Sequence, residues 1–159
     1  MLHTIERVGR VPTSSRFVVA VHALAAMAVG DGAPLRSEDL AASANTSAVV
    51  IRGLLSRLHQ AGLTTSQLGA GGGALLAKPA SRIRLLDVYA AVEDTTLFTL
   101  HRMPPLGGCA VGGNIQEAIR PVLDRARTAM EAELAGVTIA DIAADVARLG
   151  KFAVPLKWG

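Results

Sequence analysis

The chain has 159 residues and a mass of 16.4 kDa, and half of its residues are apolar. This apolar content excludes an intrinsically disordered chain, and the length suits one compact domain with an appended helix. A single cysteine excludes an internal disulfide and a four-thiolate zinc site within one chain. Residues 1–85 carry nine Lys or Arg against four Asp or Glu, whereas residues 86–159 carry seven against nine. A basic first half favours contact with a polyanion.

The N-terminal part of the chain is predicted to be an arm followed by a helix. Residues 1–13 have no clear periodicity, so we expect a flexible arm. The apolar run 17–29 follows three arginines, as in a signal peptide, but it is too short to cross a bilayer and its apolar residues recur at helical spacing. We therefore interpret it as the first helix of a cytoplasmic protein, beginning after Ser14 or Ser15 and ending at Gly30.

Two further helices and a hairpin are predicted next. Ser37 is expected to cap a short helix, and Thr46 or Ser47 to cap a second helix over residues 48–61 that Gly62 closes. A short helix, a polar break and a second helix form a helix-turn-helix. The β-prone residues 63–66, the glycine turn 69–73 and the returning strand 74–77 predict a β-hairpin wing. No Lys-Ser/Thr pair follows the glycines, which argues against a nucleotide-binding loop.

In order along the chain, these residues resemble the Rrf2 family of bacterial winged-helix transcription regulators. The motifs are SEDLA (37–41), NT (45–46), VVIR (49–52), LLSRL (54–58), AGL (61–63), GAGGG (69–73), LAKP (76–79) and IRLLDVYAAVE (83–93). Residues 109–116, with Cys109, resemble a subgroup of the family that lacks an iron–sulfur cluster.

The resemblance implies a mainly α fold with a small β-hairpin wing. It implies a winged helix-turn-helix DNA-binding domain over residues 14–85 and a dimerisation and sensor region with a long C-terminal helix over 86–149. The resemblance does not extend over residues 150–159, which we expect to form an irregular tail. It also implies a homodimer that binds double-stranded DNA at a near-palindromic operator, as a repressor. The second helix would enter the major groove, and the wing would lie on the flanking backbone or minor groove.

The residues expected to contact DNA lie on the helix-turn-helix and the wing. Thr46 and Ser47 can donate hydrogen bonds, Arg52 can reach a guanine edge or a phosphate, and Arg57 and Lys78 can neutralise phosphates. The full predicted set is Ser37, Thr46, Ser47, Val49, Val50, Arg52, Arg57, Gln67, Gly71, Gly72 and Lys78. Three departures from the family pattern weaken the expected affinity: Gln67 and Leu68 stand where a basic residue is usual, Gly53 occupies a position of the second helix that is often basic or polar, and His59 replaces a common Arg or Lys.

The second half of the chain is predicted to dimerise. Residues 114–134 keep one apolar helical face that is too long for one small domain to cover, so a partner helix is its natural cover. Pro121 interrupts this helix and predicts a kink. Thr138 and Asp141 have the spacing of a capping box and begin a short helix that ends near Leu149.

Cys109 is the one residue with obvious chemical potential. Cluster-binding relatives use three cysteines at six-residue steps, and one thiolate cannot hold such a cluster, so we predict neither a cofactor nor a metal. A thiol in a glycine-rich loop can act as a redox switch or pair across a dimer. We favour the interpretation that Cys109 is a small buried side chain at the start of the long helix, since free cysteines are usually buried.

Three hypotheses follow from the sequence. The favoured one is a dimeric DNA-binding regulator, with a small-molecule or redox effector left open and no membrane partner. The second is a dimeric sensor or interaction protein of the same fold that has lost operator binding, as Leu68 and Gly53 suggest. The third is a thiol enzyme that uses Cys109. Because no nucleophile, base and orienting group recur at useful spacing, we predict that the chain is not an enzyme.

Overall fold

The computed structural model describes residues 14–93 and 97–157, so the predicted N-terminal arm lies outside the described residues. The fold is mainly α with one antiparallel hairpin, as predicted. The elements in chain order are α1 (Arg16–Val29), α2 (Ser37–Ala44), α3 (Ala48–Gln60), β1 (Thr64–Gln67), β2 (Gly73–Leu76), a 3-10 turn (Ala80–Arg82), α4 (Leu85–Val92), α5 (Ile115–Ala135) and α6 (Ile139–Gly150).

The first helix is the centre of the core. α1 packs against α2, α3, α4, α6 and β2, and half of its fourteen residues are buried. Leu24 of α1 shares one fully buried cluster with Leu58 of α3, Val88 of α4 and Ile139 of α6. Burying a side chain of this size contributes about 1.5–3 kcal/mol, so this cluster fixes α3 relative to the rest of the molecule.

The start of α2 differs from the prediction that Ser37 caps it. The N-cap is Arg36, whose extended backbone places its carbonyl to accept the N–H groups of Asp39 and Leu40, both at 3.1 Å. The preceding residue, Leu35, is buried and exchanges two backbone hydrogen bonds with Ala74 of β2. That pairing holds the connector extended up to Arg36, so Ser37 is already the first helical residue.

The polar break between α2 and α3 forms as predicted. Asn45 has the left-handed conformation, with φ of 50°, and its N–H bonds to the carbonyls that end α2. Ser47 caps α3, because its Oγ accepts the N–H of Val50 at 3.2 Å. At the other end, Gly62 has φ of +73° and closes the helix. These bonds fix the angle at which α3 leaves α2.

The predicted wing is present and is tied to the connector before α2. β1 and β2 pair antiparallel with Thr64 opposite Leu76 and Gln67 opposite Gly73, so Gly73 belongs to β2 and not to the turn. A Cβ on Gly73 would lie 2.5 Å from the carbonyl oxygen of Leu35, so glycine lets the connector approach the hairpin. The wing is therefore anchored to the core rather than projecting as an independent ribbon.

The last two helices differ in how they are covered. α6 begins at the predicted capping box, in which Thr138 Oγ1 accepts the N–H of Asp141 at 3.2 Å, and it packs against α1. α5 continues on both sides of Pro121 and packs against α4, but none of its residues is buried. Within the described ranges, no helix combines the length and apolarity that crossing a bilayer requires.

Candidate nucleic-acid interface

A polar groove of about 350 Å³ lies between α3 and the hairpin. It brings together three of the residues predicted to contact DNA: Ser37 at the start of α2, Arg52 on α3 and Gln67 at the end of β1. The remaining lining is rich in hydrogen-bonding groups and consists of Leu55, Ser56, His59, Thr64, Thr65, Ser66, Gly73 and Ala74. Such a surface is suited to contact phosphates and base edges.

Arg52 lies on the surface at this groove. Its side chain is 55% exposed, and its Nη1 lies 3.4 Å from Oε1 of Glu38 on α2. The other oxygen of that carboxylate, Oε2, is 3.9 Å from Nε of Arg36. The guanidinium is held beside the groove and remains accessible to a ligand.

The N-terminal end of α3 presents the predicted hydroxyl and methyl groups. Thr46 is half-buried, whereas Ser47 and Val50 are exposed and Val49 is 71% exposed. Ser47 accepts a hydrogen bond as the cap of α3, which leaves its O–H free to donate. Methyl groups of this kind can contact a thymine methyl in a major groove.

Two of the predicted phosphate contacts are placed differently. Arg57 donates from Nη1 to the carbonyl of Val92 at 3.3 Å, at the C-terminal end of α4, where a helix favours positive charge. Lys78 lies close enough to Asp87 to affect the pKa of its carboxyl. Burial raises this pKa, but the hydrogen bonds from Arg84 and the positive charges of Arg84 and Lys78 lower it by a larger amount, so the net shift is downward. Neither residue lines the groove.

The backbone conformation of the wing tip explains why glycines occupy it. Gly71 is exposed with φ of +75°, and a Cβ on Gly72 would collide with the carbonyl oxygen of Gln67. Leu68 is 90% exposed beside them. The turn therefore requires glycine whether or not DNA approaches it.

Sequence reasoning did not single out Ser56, which lines the groove, or Glu38, which contacts Arg52 beside it. Ser56 follows Arg52 on the same face of α3 at a spacing of four residues, and that helical spacing could have identified it. His59, which the sequence marks only as a departure from the family pattern, follows Arg52 by seven residues and also lines the groove. His59 Nδ1 lies 3.1 Å from the carbonyl oxygen of Thr64 and so connects α3 to β1. Glu38 lies in the first turn of α2, and its contact with Arg52 depends on how the two helices pack, so no local pattern in the sequence indicates it.

Cys109 lies in the segment between α4 and α5, and its thiol is exposed. The N–H groups of Gly112 and Val111 bond to the sulfur and lower the pKa of the thiol. The favoured interpretation of Cys109 as a buried packing residue is therefore wrong.

A second cavity, of about 380 Å³, lies between α1, α6 and the C-terminal segment. Apolar side chains form most of its wall, and its polar contributors are His22 and Ser43, joined Nε2 to Oγ at 2.8 Å. Because it offers no cation, a polyanion is better matched by the groove at α3.

Comparison with known proteins identifies the family. The Rrf2 family model, described as an iron-dependent transcriptional regulator, matches residues 13–145. The chain belongs to the Rrf2 family. It is 38% identical over 130 residues to YwnA of Bacillus subtilis, whose name describes an HTH-type transcriptional regulator, and the match covers 81% of this chain and 95% of YwnA. The resemblance to the family is thus confirmed.

Solved structures agree with this assignment. A protein described as DNA-binding is 36% identical, with a TM-score of 0.64 over 80% of this chain and 98% of its own. IscR of T. potens shares the fold at 22% identity, with a TM-score of 0.67 over 90% of this chain and 93% of its own. As an Rrf2 family member, the chain is a DNA-binding helix-turn-helix transcriptional regulator.

The iron in the family description does not fit the residues of this Rrf2 member. The whole chain has one cysteine, and across residues 14–93 and 97–157 no three His, Cys, Asp or Glu side chains converge to hold a metal ion. One thiolate cannot hold an iron–sulfur cluster.

Proposed function

We propose that two copies of this chain form a homodimer that binds a near-palindromic operator and represses transcription. In this proposal residues 14–85 read the DNA, and residues 86–149 join the two copies and carry the response to a signal. α3 enters the major groove, and the hairpin lies against the flanking backbone or minor groove.

The groove between α3 and the hairpin carries the proposal for DNA contact. It joins an exposed guanidinium, hydroxyl groups and an amide on one concave surface. Arg52 can donate two hydrogen bonds to a guanine edge, and the exposed end of α3 adds Ser47 and Val49. The fourth and seventh residues after Arg52 on α3, Ser56 and His59, extend this surface towards β1.

The apolar face of α5 supports the proposal of a homodimer. Ile119 and Val122 are exposed although they lie within one stripe of a 21-residue helix. An uncovered stripe of this length is typical of an interface, and two-fold symmetric dimers are the commonest assembly of soluble proteins. A two-fold dimer presents two α3 helices, which explains why the operator would be a near-palindrome.

The DNA-binding surface is tested with Arg52→Gln. Duplexes recovered from a random library by the wild-type protein provide the operator, and we expect an inverted repeat whose half-sites are centred about 10 base pairs, or a multiple of that, apart. Loss of a bidentate guanine contact costs about 1–3 kcal/mol, so R52Q should weaken operator binding by about 5- to 150-fold. Arg148→Gln is the matched control, because Arg148 is likewise exposed and paired with a carboxylate, Asp145 at 2.9 Å.

Two results would count against this surface. If R148Q weakens binding as much as R52Q, the effect is one of general charge and not of the groove. If the recovered sequences lack two-fold symmetry, the palindromic operator is wrong. A reporter placed behind the recovered operator then tests repression, and expression should rise when R52Q replaces the wild-type protein.

The homodimer is tested by sedimentation of Ile119→Glu. A buried unpaired carboxylate at an apolar interface is strongly unfavourable, so I119E should sediment as a monomer where the wild-type chain is a dimer. Thr128→Glu is the control on the opposite side of α5, since nine residues place it about 180° around the helix from Ile119. Dissociation by T128E as well would indicate that α5 itself, and not its apolar face, has been damaged.

Cys109 is a second candidate for function, as a thiol switch. Its exposure and its lowered pKa favour the thiolate, which is the reactive form. In a dimer, a peroxide could oxidise two such thiols to one disulfide, with the two electrons and two protons passing to the peroxide to give water. Non-reducing electrophoresis after peroxide treatment, with Cys109→Ser as control, should show a linked dimer that dithiothreitol reverses and whose operator affinity differs from that of the reduced protein.

A further inference from the structure

We propose that Glu38 determines the specificity of this interface by lowering affinity for non-cognate DNA more than affinity for the operator. It does so through its contacts with Arg52 and Arg36. This inference rests on the proposed function, because it requires that Arg52 contacts operator DNA.

The geometry places one carboxylate between two cations at the edge of the groove. Glu38 Oε1 is 3.4 Å from Arg52 Nη1, and Glu38 Oε2 is 3.9 Å from Arg36 Nε. The contacts join α2 to α3 and to the connector before α2, so they depend on tertiary packing rather than on helical spacing. Each of these side chains is more than half exposed, so DNA can displace the contacts.

The carboxylate acts first on non-specific binding. Affinity for DNA of any sequence comes from cations that neutralise phosphates and release their counterions. A carboxylate that already accompanies two cations reduces their net charge and also repels an approaching phosphate. Non-cognate DNA forms few sequence-specific contacts that could compensate, so its affinity is lowered by the whole of this electrostatic cost.

An operator offers a compensation that non-cognate DNA does not. A guanine edge in the correct position accepts two hydrogen bonds from the planar guanidinium, and this bidentate contact can replace the pairing of Arg52 with Glu38. Before binding, the same pairing restrains a long flexible side chain beside the groove. Selectivity arises because Glu38 lowers the affinity for non-cognate DNA more than it lowers the affinity for the operator.

The test compares Glu38→Gln with Asp39→Asn. Asp39 lies next to Glu38 in the first turn of α2, is also exposed, and within the part of the chain that the structure describes forms no ion pair. Both variants remove one negative charge from the same helix end, so effects of helix stability and overall charge are matched. Binding is measured by fluorescence anisotropy from 50 to 200 mM salt, on the selected operator and on a random-sequence duplex of equal length.

If E38Q frees one arginine to neutralise a phosphate, the plot of log affinity for random DNA against log salt concentration should become steeper by about 0.9. Over that salt range this corresponds to an additional loss of affinity for random DNA of about 3.5-fold, and the ratio of operator to random affinity at 50 mM should fall. D39N should change neither quantity to this extent. In an Arg52→Gln background, the difference between E38Q and D39N should become smaller, and the part that remains reports the contact of Glu38 with Arg36.

The failures of the two proposals are distinguishable. If the wild-type chain binds neither duplex at 50 mM salt, the proposed function is overturned and this inference with it. If the wild-type chain binds its operator selectively but E38Q and D39N behave alike, only the inference is overturned. It is also overturned if E38Q lowers affinity for random DNA.

Discussion

Replacing Gly53 with alanine should stabilise the protein. Gly53 lies in the interior of α3, where glycine is about 0.8–1.0 kcal/mol less favourable than alanine. Beyond its two chain neighbours and the backbone of its own helix, a Cβ at this position would meet no atom within 4 Å, so no neighbouring element opposes the gain. Alanine has less backbone conformational freedom than glycine in the unfolded chain, so G53A lowers the conformational entropy of the unfolded state and should raise the free energy of unfolding.

Gly62→Ala provides the opposite result from the end of the same helix. A Cβ on Gly62 would also meet nothing within 4 Å, but the backbone there has φ of +73°. A left-handed backbone costs a residue with a Cβ about 1–2 kcal/mol. The two substitutions add the same atom to the same helix region, and only the backbone conformation gives their effects opposite signs.

Thermal unfolding followed by circular dichroism, at one fixed protein concentration, measures both effects. For a chain of this size, 1 kcal/mol corresponds to about 2–4 °C in Tm, so the two variants should be separated by about 4–12 °C. Gly53 does not line the groove, so operator affinity should change little in G53A. A destabilised G53A, or a G62A at least as stable as the wild type, would refute the reasoning from backbone conformation.

Three further predictions concern charged and reactive groups. Glu93→Ala should lower the free energy of unfolding by about 1 kcal/mol, because Glu93 Oε1 accepts the N–H of Phe17 at 3.1 Å at the start of α1. Glu93→Gln keeps an oxygen that can accept this hydrogen bond, so it should lower the free energy of unfolding by less. An equal loss in the two variants would contradict this reason. Iodoacetamide labelling of Cys109, followed by mass spectrometry, should show a pH midpoint below that of an ordinary thiol, and a midpoint at or above it would exclude stabilisation of the thiolate. Hydrogen bonds from Thr138 lower the pKa of Asp141 in the folded chain. The ionised carboxylate therefore stabilises the fold above the unfolded pKa of about 3.9, and this stabilisation is lost as pH falls through the folded pKa. The free energy of unfolding in urea should depend less on pH between about pH 5 and 3 in Asp141→Asn than in the wild type.

Local signals in the sequence predicted most of the fold. The Ser47 cap, the left-handed Gly62 and the capping box at Thr138 are all confirmed, because each depends on residues within four positions of one another. The failure at the start of α2 has a different origin. Arg36 caps that helix because Leu35 pairs with Ala74, and a contact across almost forty residues leaves no local pattern.

The candidate site was predictable only in part, for a geometric reason. Arg57 follows Arg52 by five residues, which places it about 140° around α3, where it donates to Val92 instead of lining the groove. The helix-turn-helix motif specifies that α3 is presented to DNA but not which of its side chains face the hairpin. That choice depends on the hairpin's position, and the pairing of Leu35 with Ala74 helps to fix it.

The uncovered face of α5 connects stability with the proposed function. Isolated helices are marginally stable in water unless tertiary contacts bury an apolar face, and α5 buries none of its residues in a single chain. Pro121 adds to this weakness, because it removes one backbone hydrogen bond from the middle of the helix. α1, α3 and α6, by contrast, contribute to one shared core that includes no residue of α5. In the proposed dimer, DNA contact and subunit association are therefore built on separate parts of the chain, and a signal that acts on the segment carrying Cys109 can alter how the two grooves are spaced without disturbing the groove itself.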